Sequence, residues 1–85
     1  TNLEVLSGLA DLYYQLQDWE KAFKSYQTIL VQHRDTQSDD ATVLVYYRLG
    51  VIKRMQGEGR KALNYFEKSL EVNPHHEDTL RAVIE

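Results

Sequence analysis

The residues best suited to chemistry are four consecutive ones near the C-terminal end, His75-His76-Glu77-Asp78. Imidazole and carboxylate groups are ligands for transition metals. Adjacent histidines at a junction between a loop and a helix do not converge readily on one ion, and the only other histidine in the chain is His33. We therefore interpret this segment as a turn between helices and expect neither a metal nor a cofactor.

Catalytic patterns are also missing from the sequence. No serine or threonine is accompanied by a suitably placed histidine and carboxylate, and Gly57-Glu58-Gly59 is too short for a phosphate-binding loop. The remaining carboxylates are dispersed among lysines on the outer faces of predicted helices, as at Glu20, Glu67 and Glu71. The sequence therefore predicts a protein without catalytic activity of its own.

Two arginines offer a different chemistry, because a guanidinium group binds carboxylates through two parallel hydrogen bonds. Arg48 and Arg54 lie on one predicted helix together with Leu44, Tyr47 and Val51. Exposed apolar and aromatic groups rimmed by charge commonly mark interaction surfaces. An acidic ligand is one interpretation of the two arginines, and a pair of solvated surface residues is the other.

The elements that position these residues follow from apolar residues spaced three and four apart, which trace one face of a helix. The first stripe runs from Leu3 to Leu16, and Asp18 is predicted to cap a second helix. Residues 35–42 are predicted as a polar loop or a frayed helix extension, with Asp39 or Asp40 capping a third helix. The inward positions predicted for the second helix are Trp19, Ala22, Phe23, Tyr26, Ile29, Leu30 and His33.

Glycine and proline mark the later boundaries. Gly57-Glu58-Gly59 predicts a tight turn in which one glycine takes the left-handed position after the third helix. Asn73-Pro74 ends the fourth helix, because proline lacks an amide donor. The inward residues predicted for the fourth helix are Ala62, Leu63, Phe66, Ser69 and Leu70, and a fifth stripe begins with Leu80, Val83 and Ile84.

The chain also repeats itself. Leu9-Ala10-Asp11-Leu12-Tyr13 and Lys21-Ala22-Phe23-Lys24-Ser25-Tyr26 return forty residues later as Leu49-Gly50-Val51-Ile52-Lys53 and Lys61-Ala62-Leu63-Asn64-Tyr65-Phe66. A period of this size is typical of arrays in which a small unit buries its apolar face by stacking on its neighbours. The repeat favours a binding scaffold over an enzyme.

These offsets resemble the tetratricopeptide repeat, a helix-turn-helix unit of about 34 residues. In the second copy, Tyr46, Leu49-Gly50, Ala62, Phe66 and Pro74 match the family's aromatic, small and proline positions, whereas Lys53 and Ser69 depart from them. The first copy matches at Leu6, Leu9-Ala10, Tyr13, Trp19, Ala22 and Tyr26, and it departs at Ile29 and at Arg34, where the closing proline would stand. A polar insertion accounts for the longer spacing.

The resemblance implies an all-α fold of antiparallel helix-turn-helix units stacked as a short right-handed solenoid. We predict one domain over 1–85, with a first repeat over 3–34, a polar insertion over 35–42, a second repeat over 43–76 and the start of a third over 77–85. The sequence begins at Thr1 without a methionine and ends within an amphipathic pattern. We therefore expect a piece of a longer protein.

The resemblance also implies where ligands bind, because the first helix of each repeat lines a concave face. The groove residues predicted in this way are Ser7, Asp11, Tyr14, Leu44, Tyr47, Arg48, Val51 and Arg54. The lysines and asparagines with which some members grip a terminal carboxylate have no counterpart at Ser7, Asp11, Tyr47 and Arg48. The alternative is that this face packs against further repeats outside the sequence.

Composition restricts the partners. A formal charge of -3 and a pI near 5.5 disfavour nucleic acid and anionic lipid. No apolar run approaches the length of a membrane span, and the chain has no cysteine, so membrane insertion is not expected and the compartment stays open. We predict a scaffold that binds a peptide or protein. The alternatives are a regulatory or substrate-positioning arm of an enzyme, or self-association through Leu80, Val83 and Ile84.

Overall fold

The computed structural model describes residues 2–84 and consists of helices connected by turns. The five helices of this part of the chain are α1 (Asn2–Gln15), α2 (Trp19–His33), α3 (Asp39–Met55), α4 (Gly59–Val72) and α5 (Glu77–Ile84). The all-α prediction is confirmed. Thr1 and Glu85, the outer bounds of the predicted domain, lie outside the described residues. The chain forms two compact units, Thr1–Thr36 and Gln37–Glu85.

The first unit is the hairpin of α1 and α2, whose core is built from small and aromatic side chains. Ala10 and Ala22 are fully buried, and Tyr26 and Ile29 are almost so. The predicted cap of α2 is confirmed, since the Asp18 carboxylate accepts a hydrogen bond from the Lys21 amide at 3.4 Å. The prediction for α1 is only partly right, because the Leu9 and Leu16 side chains are exposed.

The turn between α1 and α2 holds the backbone of Gln17 in the left-handed region, with φ of 61°. The Gln17 amide donates to the Tyr14 carbonyl and the Asp18 amide donates to the Tyr13 carbonyl, which satisfies the last carbonyls of α1. The second hairpin repeats this geometry with Gly57 at φ of 80°, as predicted. Its matching bonds run from the Gly57 amide to the Arg54 carbonyl and from the Glu58 amide to the Lys53 carbonyl.

Replacing Gln17 with glycine is therefore expected to stabilise the chain. A left-handed conformation costs a residue with a Cβ roughly 1 kcal/mol or more, and glycine escapes this cost. We expect Gln17→Gly to raise the free energy of unfolding in urea by about 0.5–1 kcal/mol and Gly57→Gln to lower it by about 1–2 kcal/mol. Gln27→Gly, inside α2, is the control and should be destabilising by about 1 kcal/mol. A loss of stability in Gln17→Gly would contradict the strain argument.

In the second unit, α3 starts earlier than the sequence predicts. Its N-cap is Ser38, whose hydroxyl accepts from the Ala41 amide at 3.2 Å, so the expected capping role of Asp39 or Asp40 is wrong. Both aspartates lie in the first turn, where a negative charge favours the positive end of the helix dipole. Asp39 to Thr42, predicted as loop or frayed extension, therefore belongs to a capped helix.

Glu58 joins the ends of α3 and α4 through two ion pairs. Its carboxylate lies 3.1 Å from the Lys53 ammonium group and 3.1 Å from that of Lys61. The hydrogen bonds from Lys61 and Lys53 hold the pKa of Glu58 below its ordinary value. Because the pKa is lowered in the folded state, the stabilisation is present at neutral pH and is lost as the pH falls through the lowered pKa.

A chain of buried polar groups fixes α5 against the α3–α4 hairpin. The Ser69 hydroxyl donates to the Val43 carbonyl at 3.2 Å and lies 2.9 Å from the Thr79 hydroxyl, which in turn lies 2.7 Å from Nδ1 of His76. Ser69 and Thr79 are fully buried. The serine hydroxyl thus links three helices at a position where the family usually has alanine, and the partly buried His76 ring is the outer member of this polar network.

Candidate functional site

The predicted groove residues of the first unit are engaged with its own aromatic core. The Tyr26 hydroxyl donates to the Asp11 carboxylate at 2.7 Å. The Tyr14 ring packs edge-on against Trp19 at 5.7 Å and against Tyr26 at 6.3 Å between ring centroids. Ser7 is half-buried on the same helix. In this unit Asp11 and Tyr14 therefore position Tyr26, the core aromatic residue of α2.

In the second unit, Tyr47 and Val51 contact the corresponding aromatic residue, Phe66. Both pack against the buried cluster formed by Ala62, Phe66 and Ala82. The Tyr47 ring lies 6.0 Å from the Phe66 ring and makes an edge contact with His76 at 5.8 Å. Tyr47 nevertheless stays partly accessible, so it contributes both to the packing of α5 and to the surface beside it.

Arg54 is held in place by two contacts. Its Nη1 donates to the Ala82 carbonyl at 3.1 Å, which satisfies one of the last carbonyls of α5. Its guanidinium lies 5.3 Å from the centroid of the Phe66 ring, within the range of a cation–π interaction. The side chain is thus preorganised, and the guanidinium has five N–H donors of which this bond uses one.

A depression lies between α3 and α5 and brings these groups together. It has a volume of about 180 Å³ and is lined by Tyr47, Arg54, Asp78, Arg81 and Ala82. Two cationic groups thus face one carboxylate beside an aromatic ring. Arg81 contacts Glu77 at 3.8 Å and Asp78 at 3.6 Å, and its side chain is 67% exposed. Ion pairs this long and this exposed contribute little, so Arg81 can exchange partners at low cost.

Leu44 and Arg48 lie on the same face of α3 as Val51, because residues 44, 48 and 51 follow helical spacing. The Leu44 side chain is 39% exposed and Arg48 is half-buried. Met55 continues this face and is 57% exposed. An apolar edge therefore borders the charged depression.

Asp78 and Arg81 are the residues of this surface that sequence reasoning missed. They follow Leu44 and Tyr47 by 34 positions, which is the repeat length counted from the second copy. Extending the groove offsets into the fifth helix would have found them. The sequence predicted a turn at His75-His76 and the start of a fifth helix after it, as the structure has them, but it assigned no binding role to the charged residues of that helix.

The structure of residues 2–84 also bears on metal binding and on membrane insertion. No three histidine, cysteine, aspartate or glutamate side chains of this part of the chain are arranged to hold a metal ion. None of its helices combines the length and the apolar character needed to cross a bilayer.

Paired helices, left-handed turns at matching positions and small residues at the helix contacts define a helical-hairpin repeat protein. Residues 2–75 match the sequence model of the Tetratricopeptide repeat family. The chain therefore belongs to the tetratricopeptide repeat family, whose repeats generally mediate protein–protein interactions. No curated protein matches the chain. The matched residues stop before α5, so Asp78 and Arg81 lie beyond them.

Proposed function

We propose that the chain is a binding module without chemistry of its own, which holds a segment of another protein against α3 and α5. The observation that carries this proposal is the depression lined by Arg54 and Arg81 beside the Tyr47 ring. Preorganised donors next to an apolar face suit a ligand that has an acidic side chain flanked by apolar ones. The ligand class is thus an acidic, partly apolar protein segment.

The division of roles follows from the contacts. Leu44 and Met55 supply exposed apolar surface, whereas Tyr47 presents a ring fixed by Phe66 and His76. Aromatic residues and arginine dominate the energetics of protein interfaces, because large rigid groups lose little entropy on binding. Arg54 and Arg81 orient the segment through charge-assisted hydrogen bonds to its carboxylate.

Asp78 lines the same depression as the two arginines, whose guanidinium groups set its selectivity for charge. The Asp78 carboxylate lies 3.6 Å from the Arg81 guanidinium. A basic ligand side chain would have to enter between two guanidinium groups, which costs energy through like-charge repulsion. An acidic side chain instead competes with Asp78 for Arg81. Acidic ligands are therefore favoured over basic ones.

Charge reversal at Arg81 tests the proposal. Random peptides displayed on phage and selected on the immobilised chain should be enriched in aspartate or glutamate next to apolar residues. A hydrogen bond to a charged group contributes about 1.5–3 kcal/mol, so Arg81→Glu should weaken binding of a selected peptide about tenfold to a hundredfold in fluorescence anisotropy.

Arg60→Glu is the matched control, because Arg60 is exposed on α4 and does not line the depression. It changes the net charge equally and should leave the affinity within about twofold. If both variants lost the same amount of affinity, the loss would be due to the change in net charge and not to the depression. Selected peptides without acidic residues would overturn the ligand class.

A further inference from the structure

The first hairpin carries an exposed apolar stripe, which we call the α1 stripe. The side chains of Val5, Leu9, Leu12 and Leu16 are 62%, 39%, 48% and 67% exposed. Their spacing of four, three and four is that of the contact seam between two packed helices. Single exposed apolar residues are ordinary, but four in register form a surface built for contact.

The second repeat shows that this stripe is a packing surface. The residues forty positions later are Val45, Leu49 and Ile52, with exposures of 5%, 0% and 0%. Both copies thus have apolar residues at these three positions, and in α3 their side chains are buried. The exposed stripe on α1 therefore has the composition of a helix surface that is buried by packing against other helices.

The second unit has an exposed apolar surface of its own, the α4–α5 face, formed by Leu63, Leu80, Val83 and Ile84. These side chains are 44%, 37%, 41% and 84% exposed. Beside them lies a cavity of about 170 Å³, lined by Arg54, Gly59, Ala62, Leu63, Phe66, Ala82 and Val83. The cavity accommodates about one aliphatic side chain between α4 and α5.

Charge decides how the two surfaces combine. The charged residues of α1 are Glu4 and Asp11, both acidic, and Arg54 is the charged residue that lines the cavity of the α4–α5 face. Two α1 stripes in contact would bring like charges together, whereas the α4–α5 face is mixed in charge, with Glu77, Asp78 and Arg81 on α5 as well as Arg54. Contact between the α1 stripe and the cavity of the α4–α5 face brings Glu4 and Asp11 toward Arg54, which favours this contact.

We infer that the α1 stripe of one copy docks on the α4–α5 face of a second copy, so that copies associate head to tail. An apolar side chain of the stripe enters the cavity beside Phe66, and the acidic helix lies near Arg54. Such a contact uses different patches on the two molecules, so each copy can bind one neighbour through each surface. Both patches are small, and the association is expected to be weak.

The test blocks one surface at a time. For the whole 85-residue chain, the average mass from light scattering should rise between about 10 μM and 1 mM, the range of weak association. Leu12→Glu blocks the α1 stripe and Val83→Glu blocks the α4–α5 face, so each variant alone should stay at the mass of one chain. An equimolar mixture should reach twice that mass and stop there, because only one productive contact remains.

Val31→Glu is the control, since Val31 is 83% exposed on α2 and belongs to neither surface; it should associate like the unmodified chain. Circular dichroism checks that the variants fold. If Leu12→Glu or Val83→Glu does not fold, the milder variants Leu12→Gln and Val83→Thr take their place. An unmodified chain that stays monomeric to about 1 mM overturns the inference. A monomeric mixture of the two variants also overturns it. Association of either variant alone overturns it as well, because that would indicate a symmetric contact.

Discussion

Phe66→Ala is expected to lower the free energy of unfolding by about 3–5 kcal/mol, the usual cost of removing a buried phenylalanine. The ring is 2% exposed and is contacted by Tyr47, Val51 and Arg54. Its loss would leave a cavity at the point where α3, α4 and α5 meet. Small domains have only about 5–15 kcal/mol of stability, so the variant should be close to unfolding at room temperature.

Thermal and urea melts followed by circular dichroism measure this effect. Leu63→Ala is the matched control, because Leu63 is on the same helix but is 44% exposed. It should cost less than half as much, since much of its surface is already in water. Equal losses in the two variants would show that Phe66 is not the centre of the second unit.

Gly50→Ala is expected to be destabilising even though alanine favours helices. A Cβ at Gly50 would meet Cε1, Cδ1 and Cζ of Phe66, the last at 2.9 Å, which is closer than carbon atoms approach without displacement. The ring cannot retreat easily, because it is buried and contacted on several sides. Overpacking of this kind costs about 1–3 kcal/mol.

Gly8→Ala provides the contrast within the same chain. Gly8 lies in α1, and a Cβ there would find nothing within 4 Å. The variant should therefore gain up to about 1 kcal/mol from helix propensity. In a Phe66→Leu background, the cost of Gly50→Ala should shrink, because the smaller side chain leaves room for the methyl group. Stabilisation by Gly50→Ala in the unmodified chain would contradict the close contact.

The sequence predicted the helices well because their signals are strong. Periodic apolar residues located all five, Asp18 marked the start of α2, and Gly57 marked the left-handed turn after α3. The start of α3 was wrong because its first turn is polar and carries no periodicity. There the capping hydroxyl of Ser38 determines where the helix begins.

The roles of individual residues were harder to predict. The sequence placed Gly50 at one of the family's small positions, and the structure shows that the closest group to a Cβ there is the Phe66 ring. Asp11 and Val51 differ between the copies because of their aromatic partners. The Tyr26 hydroxyl needs an acceptor, which Asp11 provides, whereas Phe66 has no hydroxyl and Val51 packs against it. This difference between the copies thus has a structural cause.

The candidate site was predicted on α3 but not on α5. Tyr47 and Arg54 are among the groove residues that the family offsets predict and both line the depression, whereas Asp78 and Arg81, which also line it, were not predicted. The fifth helix spans only eight residues, and the sequence drew attention to its apolar residues as a self-association surface rather than to its charged ones. The position of this helix depends on hydrogen bonds among the side chains of Ser69, Thr79 and His76. Apolar periodicity, from which the other helices were predicted, does not reveal such bonds.

Mapping of backbone amide shifts by NMR tests the proposed binding surface most directly. The chain is titrated with an acidic peptide obtained by selection and with the same peptide carrying glutamine in place of glutamate. We expect the shifts caused by the acidic peptide to centre on five residues, Tyr47, Arg54, Asp78, Arg81 and Ala82, and the glutamine peptide to cause much smaller shifts. Shifts centred on the outer face of α4, around Lys61 and Lys68, would contradict the proposed surface.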